Sequence, residues 1–427
     1  MHLLSHSTKK VEPHVLKILF PVIFGTVVEY YDYALYGFFA HILATQFFST
    51  ADPTIALLQT FGIFLTGSLS KPLGAILFGY IGDRFGRERA LKLSMLGIIV
   101  PTILIGGLPT YEHIGWVAPF FLLICRILQG IFATGESDGA RIFIYESMGQ
   151  KRPYLANSIS GVACMFGIYL ASFAFSIVMR FEAYPNAWRF PFFIGGFLGI
   201  CVFCSRHYLK ESTTFMTYLK SDNKISQAGF FKVILKNKRL ILSAILLCGS
   251  VGGVYHFYMV FFGHYLANTL DVIQPKILSF YMAQALLIYT VCGPISGLLA
   301  DRFGPILVLK ISLIGLLLAT VLNTLMIQQG TINLWIFLST TICLSFFSAP
   351  GLILLLQKFS IGERYRCLSI GHALGSMIFS GSAPMISLWF WHTTQIATAP
   401  LVYFSFLILI GFLAIFLLEY DKFNKES

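Results

Sequence analysis

The chain reads as long apolar runs parted by short polar connections. Twelve runs are long enough to cross a bilayer, at about 15–45, 55–81, 90–109, 116–145, 154–179, 190–208, 239–267, 276–299, 305–328, 333–357, 366–391 and 399–419. A helix of this length closes its own backbone hydrogen bonds in lipid, so each run predicts a membrane helix. Pro72, Pro101, Pro294, Pro350 and Pro384 fall inside runs, where neighbouring helices can satisfy the backbone groups that proline frees.

The connections carry the basic residues on one side only. Lys9 and Lys10, the 82–92 loop (Arg84, Arg87, Arg89, Lys92), the 146–153 loop (Lys151, Arg152) and the segment 206–239 share it with the 300–310 and 358–366 loops. The opposite connections hold little beyond Arg180, Arg189 and Lys276. Basic loops stay in the cytoplasm, which predicts that both termini are cytoplasmic. The longest connection divides the chain into an N-terminal six-helix bundle (1–208), a cytoplasmic linker (209–238) and a C-terminal six-helix bundle (239–427). The two halves echo each other. Gly82-Asp83-Arg84-Phe85-Gly86 follows the second run, and Ala300-Asp301-Arg302-Phe303-Gly304 follows the eighth. Glu146 before Lys151-Arg152 is matched by Lys358 before Glu363-Arg364. The fold class is therefore an all-α polytopic membrane protein, with twelve transmembrane helices in two pseudo-symmetric bundles. Duplicated halves of this kind belong to transporters with a site between them near mid-membrane.

Composition agrees with a lipid setting: of 427 residues 56% are hydrophobic and 11% charged, and the mean hydropathy is +0.77. A soluble chain carries about a quarter charged residues. The net charge of +11 sits in the connections and forms no patch, which excludes nucleic acid as a partner. The first run is too long for a signal peptide and continues as a span. Cys201-Val-Phe-Cys204 has a redox or metal spacing but lies in an apolar run, where packing explains it; no metal is expected.

The chemistry concentrates in Gly25 to Gly37, GTVVEYYDYALYG. Glu29 and Asp32 are three apart, so a helix puts both on one face, continued by Tyr33 and Tyr36. Buried acids in a membrane cost several kcal/mol, roughly, unless they face protein, a partner or water. Pairing with basic groups of a neighbouring helix is the plain alternative to a site. The fourth run adds Arg126, Gln129, Glu136, Asp138 and Arg141, and the second adds Lys71. Four buried acids (Glu29, Asp32, Glu136, Asp138) then face three bases (Lys71, Arg126, Arg141). One carboxylate is left over, and a desolvated carboxyl without a partner favours its protonated form. Proton coupling needs such a group; Glu29, Asp32 and Glu136 are the candidates, in that order. The C-terminal half offers Tyr255, His256, Tyr258, His264, Gln284, Tyr289, His372 and the serines of the eleventh run. A hydrogen-bonded core histidine is the favoured role for His256. Together with Tyr30, Tyr33 and Tyr36 these C-terminal residues, Tyr255, His256 and Gln284 among them, would line a cavity suited to a zwitterion or quaternary amine. An organic anion would use Lys71, Arg126 or Arg141 instead. No nucleotide-binding, metal-ligand or nucleophile motif is present, so no enzyme is expected.

Gly79-Tyr-Ile-Gly82-Asp83-Arg84-Phe85-Gly86-Arg87-Glu88-Arg89 resembles the cytoplasmic-loop signature of the major facilitator superfamily. The resemblance implies an inner gate latch formed by Gly79, Asp83, Arg84, Gly86 and Arg87, with Asp301 and Arg302 as a second copy. That copy continues into Pro305-Ile306 and lacks the basic residues, so its latch should be weaker. Glu29-Tyr30-Tyr31-Asp32-Tyr33, Phe47-Phe48 to Asp52-Pro53, Lys71-Pro72-Leu73-Gly74, Trp188-Arg189-Phe190-Pro191-Phe192, Glu211-Ser212 and Gly381-Ser382-Ala383-Pro384 are similar to blocks of its metabolite:proton symporter family. That family includes transporters of proline and betaine, 2-oxoglutarate, citrate and shikimate. Arg126-x-x-Gln129-Gly130 is similar to the superfamily motif whose arginine lies near the proton path, and Glu136 matches the family's acidic position. Asp138 and Arg141 stand where the family has small residues, which favours a structural pair between them. The resemblance implies import of a small polar metabolite by proton symport with alternating access; the alternative is a proton-coupled exporter. The Gly-Pro signature of drug antiporters is missing from the fifth run, where 161–171 reads GVACMFGIYLA. The tail YDKFNKES is too short for the coiled coil of osmoregulated relatives. The expected setting is a monomer, multi-pass in a bacterial cytoplasmic membrane. Its partners are lipid, protons and a small-molecule substrate, without a cofactor.

Overall fold

The computed structural model describes residues 13–48, 53–148, 152–181, 184, 186–221 and 229–426. Asp52, Lys151 and linker residues 222–228, singled out above or lying within segments singled out above, are outside the described residues.

Regular structure among the described residues is helical throughout. The first half holds α1 (Pro13–Phe38), α2 (Ala40–Phe47), α3 (Pro53–Leu69), α4 (Lys71–Arg84), α5 (Arg87–Gly107), α6 (Tyr111–Ile114), α7 (Val117–Met148), α8 (Pro153–Val178) and α9 (Arg189–Ser205). Two short helices follow, α10 (Thr213–Lys220) and α11 (Phe230–Lys236). The rest comprises α12 (Lys238–Tyr255), α13 (Pro275–Phe303), α14 (Pro305–Gln328), α15 (Leu334–Lys358), α16 (Arg364–Gly375), α17 (Ala383–Thr394) and α18 (Pro400–Glu426). π-helical turns at His256–Phe262 and Tyr265–Thr269 extend α12, and another at Ser376–Ser380 joins α16 to α17.

Ten helical stretches among the described residues are long and apolar enough to cross a membrane. The runs at 15–45 and 55–81, expected as single spans, are each divided in two. The first breaks at Phe39, between α1 and α2. The second breaks at Ser70, whose hydroxyl faces the carbonyls of Gly67 and Ile127 at 2.9 and 3.0 Å. Pro72 then has no N–H with which to continue the ladder. Hydropathy saw the length of these runs but not the breaks.

In the first half α1 packs on α8, α5 lies between α7 and α9, and α3 and α4 lean on α7. In the second, α12 contacts α16 and α18, while α13 and α14 flank α15. The halves meet where α8 crosses α13 and α15, and where α16 crosses α4 and α7. The Trp188 to Phe192 block has a local explanation. Trp188 and Phe192 stack edge-on with Phe47 and Phe39, at ring separations of 5.9 Å each. Arg189 donates to the carbonyls of Gly106 and Leu108 at 2.8 and 2.7 Å, closing the C-terminal end of α5. Outward positions such as Leu318 and Phe416 are exposed and apolar, as a lipid-facing surface requires.

Candidate coupling site and closure of the basic end

Glu29, Asp32 and Tyr33 line one small cavity with Lys71 of α4 and with Arg126 and Gln129 of α7. Its volume is ≈ 30 Å³, room for a water or two and not for a metabolite. Asp32 is well anchored. Its carboxylate accepts from the Thr102 hydroxyl at 2.6 Å and from the Gln129 amide at 2.8 and 2.9 Å. Gln129 in turn accepts from Arg126 at 2.8 Å, so the amide relays the Arg126 charge to Asp32. Glu29 differs. It is buried, and its Oε2 has no hydrogen-bond partner among the described residues. Lys71 lies 5.9 Å from the centre of the Tyr33 ring. The helical spacing therefore placed Glu29, Asp32 and Tyr33 on a common wall, as anticipated.

Tyr36 does not belong to that wall. It is fully buried, stacked 4.3 Å under the Arg126 guanidinium, and its hydroxyl donates to the Thr60 carbonyl at 3.2 Å. The C-terminal residues expected on the cavity are not on it either. Tyr255 packs against Tyr289 at 5.3 Å. His256 donates from Nδ1 to the Gly252 carbonyl at 2.8 Å, which settles its tautomer because a carbonyl only accepts. Gln284 is half-buried on α13. The cavity wall comes from the N-terminal half alone.

Glu136 requires a larger correction. It is a fully buried partner of Arg206, which sequence reading assigned to the solvated basic segment. Arg206 donates to both Glu136 oxygens, one of them at 2.7 Å, and to the Leu91 carbonyl at 2.5 Å. The Ser94 hydroxyl supplies a further bond at 2.8 Å. A Cβ at Gly25 would overlap the Arg206 guanidinium and come within 2.6 Å of Glu136, so the glycine opening the acidic stretch makes room for this pair. The tally of four acids against three bases thus becomes four against four. Asp138 is fully buried as well, and its nearest partner is not Arg141, at 3.8 Å, but His372 of α16, at 2.7 Å.

The basic end of the bundle is closed by two carboxylates. Asp83 accepts from the amides of Tyr365 and Arg366 at 3.1 Å each, capping the N-terminus of α16, and from the Arg366 side chain at 3.1 Å. Arg87 stands 3.6 Å from Asp83. Glu146, at the end of α7, accepts from Arg87 at 3.0 Å, from Arg364 at 2.8 Å and from the Ser212 hydroxyl at 2.6 Å. One buried carboxylate thereby holds residues of both halves and of α10's N-cap. On the second copy Asp301, among the described residues, accepts from the amides of Tyr154 and Leu155, at 3.1 and 3.0 Å, capping α8. Arg84 and Arg302, expected in the latch, instead point outward, each over its neighbouring phenylalanine. Gly79 and Gly82 lie where α16 crosses α4, against Arg366 and Tyr365, and Gly86 turns the chain at φ +103°. Beside this turn Glu211 receives the amides of Ser212 and Glu88, yet burial pushes its carboxyl above the usual range. Burial would also raise Glu363, but hydrogen bonds from Lys236 and Asn237 outweigh it and hold that carboxyl low.

A Cβ at Gly82 would overlap the Tyr365 ring. Gly82→Ala is expected to cost about 1–3 kcal/mol by overpacking. Thermal unfolding of the purified variant in lipid checks this; an unchanged melting temperature would show that the crossing is loose.

His372 stood among the C-terminal candidates, but Arg206, Glu146, Arg364 and Arg366 were not named as site residues from sequence. The matched Glu146 and Glu363-Arg364 loops were the one signal that pointed to any of them.

A helical membrane bundle with a buried acid at a small cavity between charged residues, closed on one side by carboxylates between its halves, has the construction of a secondary transporter. The chain belongs to the Major Facilitator Superfamily, whose sequence model matches residues 22–364. It is similar to the proline/betaine transporter of Salmonella typhimurium, 29% identical over 91% of this chain and 80% of the relative. The glycine betaine/proline/ectoine/pipecolic acid transporter of Dickeya dadantii is 28% identical over the same shares. Among solved structures, the proton:xylose symporter XylE bound to 6-bromo-6-deoxy-D-glucose superposes with a TM-score of 0.72 at 15% identity, covering 94% of each chain. A partially occluded inward open form of XylE from E. coli gives 0.60 at 15% identity, covering 94% of this chain and 96% of that one. The chain is a multi-pass membrane transporter that resembles proline/betaine transporters.

Proposed function

We propose that the protein imports a small zwitterionic osmolyte or amino acid, of the proline and betaine class, together with protons. It works as a monomer by alternating access in a bacterial cytoplasmic membrane. Twelve spans, six on each side of the 209–238 linker, leave both termini and the basic end in the cytoplasm. The observation that carries the reading is Glu29: a buried carboxyl beside Asp32, in a water-sized cavity, whose Oε2 has no hydrogen-bond partner among the described residues. A carboxylate in that position is costly until it takes a proton or meets a cation. An ammonium or quaternary amine can take the place of the missing partner, and the cavity tyrosine adds a π face. The relatives' substrates, named above, favour the zwitterion over the organic anion.

The test is uptake into proteoliposomes of radiolabelled proline and glycine betaine, with and without an inward proton gradient. The native protein is expected to accumulate at least one of them only with the gradient. Glu29→Gln and Asp32→Asn are expected to lose accumulation while remaining folded. Full gradient-driven uptake by both variants would remove these acids from coupling.

A further inference from the structure

Two buried atoms of opposite character on packed helices have no hydrogen-bond partner among the described residues: Glu29 Oε2 on α1 and Arg141 Nη1 on α7. Arg141 follows Gly130 of the cavity wall by about three turns of α7, so it lies on the helix face that lines the cavity. A long side chain on a helix leans back toward the N-terminus, which on α7 carries the guanidinium up toward Glu29. The two charges are within electrostatic reach of one another.

The pair that sequence favoured between Arg141 and Asp138 is loose. It measures 3.8 Å, longer than a hydrogen bond, while His372 of α16 meets Asp138 at 2.7 Å. Asp138 therefore keeps a partner without Arg141. The other cations near Glu29 are engaged. Arg126 donates to Gln129 and stacks on Tyr36, and Lys71 stands on the cavity wall beside Glu29 and over Tyr33. Asp138 Oδ2 is unbonded too, but that carboxylate is fully buried between His372 and Arg141, whereas Arg141 keeps 14% of its side chain open. The forked donors of an arginine match both oxygens of a carboxylate.

We propose that Arg141 binds the carboxylate of the substrate while Glu29 faces its amine, so that the two residues select a molecule carrying both charges. This rests on the zwitterion reading above and assigns the end of the substrate which that reading left without a partner. A zwitterion satisfies both unbonded atoms at once. A cation without a carboxylate leaves Arg141 as it was, and an anion without an amine does the same to Glu29. Lys71, Glu29, Arg141 and Asp138 already balance one another's charge, and a zwitterion alone enters without upsetting that balance. The closed form has room only for water, with a cavity of ≈ 30 Å³, so the two atoms receive the substrate as the halves part opposite the basic end.

Titration calorimetry of the full chain in lipid nanodiscs tests the assignment with two matched comparisons. Glycine betaine and choline share a quaternary amine, but choline carries a hydroxyl in place of the carboxylate. Proline and pyrrolidine make the same comparison on a secondary amine. The native protein is expected to bind the carboxylate-bearing member of at least one pair about tenfold or more tightly than its analogue, the worth of one charge-assisted interaction. Arg141→Gln and Arg141→Met should bring that ratio close to one by weakening the carboxylate ligand alone, and Arg141→Lys should recover part of it. A merely structural role for Arg141 would weaken both members of a pair together and leave the ratio unchanged. A folding defect in one neutral variant leaves the other to decide. Native binding without preference for the carboxylate, or neutral variants that keep the native ratio, overturn the role of Arg141 and leave the symport reading standing. A native protein that binds neither proline nor glycine betaine strikes the zwitterion reading itself, and this inference falls with it.

Discussion

Glu146→Ala is expected to lower the stability of the protein by about 3–5 kcal/mol, the cost of breaking a buried ion pair from one side. Arg87, fully buried, and Arg364, nearly so, would each lose a carboxylate partner, and Ser212 would lose its acceptor. Arg87 would keep the Gly82 and Ile361 carbonyls at 2.7 Å and the Asp83 carboxylate at 3.6 Å, whereas Arg364 would keep the Leu356 carbonyl at 3.0 Å, which does not neutralise its charge. The pair between Lys310 and Glu419 is a suitable control, being 2.8 Å long but with side chains 43% and 33% exposed. Lys310→Ala should cost less than about 1 kcal/mol, because solvent already screens that pair. Thermal unfolding of both variants in the same lipid measures the difference. Similar melting temperatures would mean that Glu146 is not the hub the geometry describes.

The second large effect is expected at Glu136. Glu136→Gln leaves the Arg206 guanidinium buried with carbonyls and no anion, a loss of about 3–5 kcal/mol. Arg206→Gln should do comparable damage to Glu136. The double substitution removes both charges, so it is expected to recover much of the loss, with a coupling of about 1–3 kcal/mol in the double-mutant cycle. A proton carrier would behave differently: Glu136→Gln would spare stability and abolish gradient-driven accumulation. Unfolding and uptake measured on the same four proteins decide between a structural counter-ion and a coupling acid. The geometry favours the counter-ion.

The pairs that settle the charge balance join residues remote in the chain. Glu136 and Arg206 are 70 residues apart, Asp138 and His372 are 234 apart, and Glu146 and Arg364 are 218 apart. A basic residue at the end of an apolar run looks alike on paper whether it faces water, as Arg84 does, or a buried carboxylate, as Arg206 does. Helical spacing was more informative within one element. Three, four and seven residues describe one face, and Glu29, Asp32 and Tyr33 do share a wall. Tyr36 failed because it lies far enough along α1 to meet Arg126 and Thr60 instead.

The sequence by itself determined that the chain is a bundle of apolar helices. Its repeat and loop motifs marked the superfamily, and its first membrane run showed where two costly acids sit. These are properties of local hydropathy, spacing and short strings, and one dimension holds them. Tertiary structure alone decided which charges are paired and which carboxyl on the cavity wall keeps an unbonded oxygen. Pairing depends on distances between helices remote in the chain, and each such pair changes the balance for all the others. With Arg206 assigned to Glu136 and His372 to Asp138, the unmatched oxygen on the cavity wall belongs to Glu29.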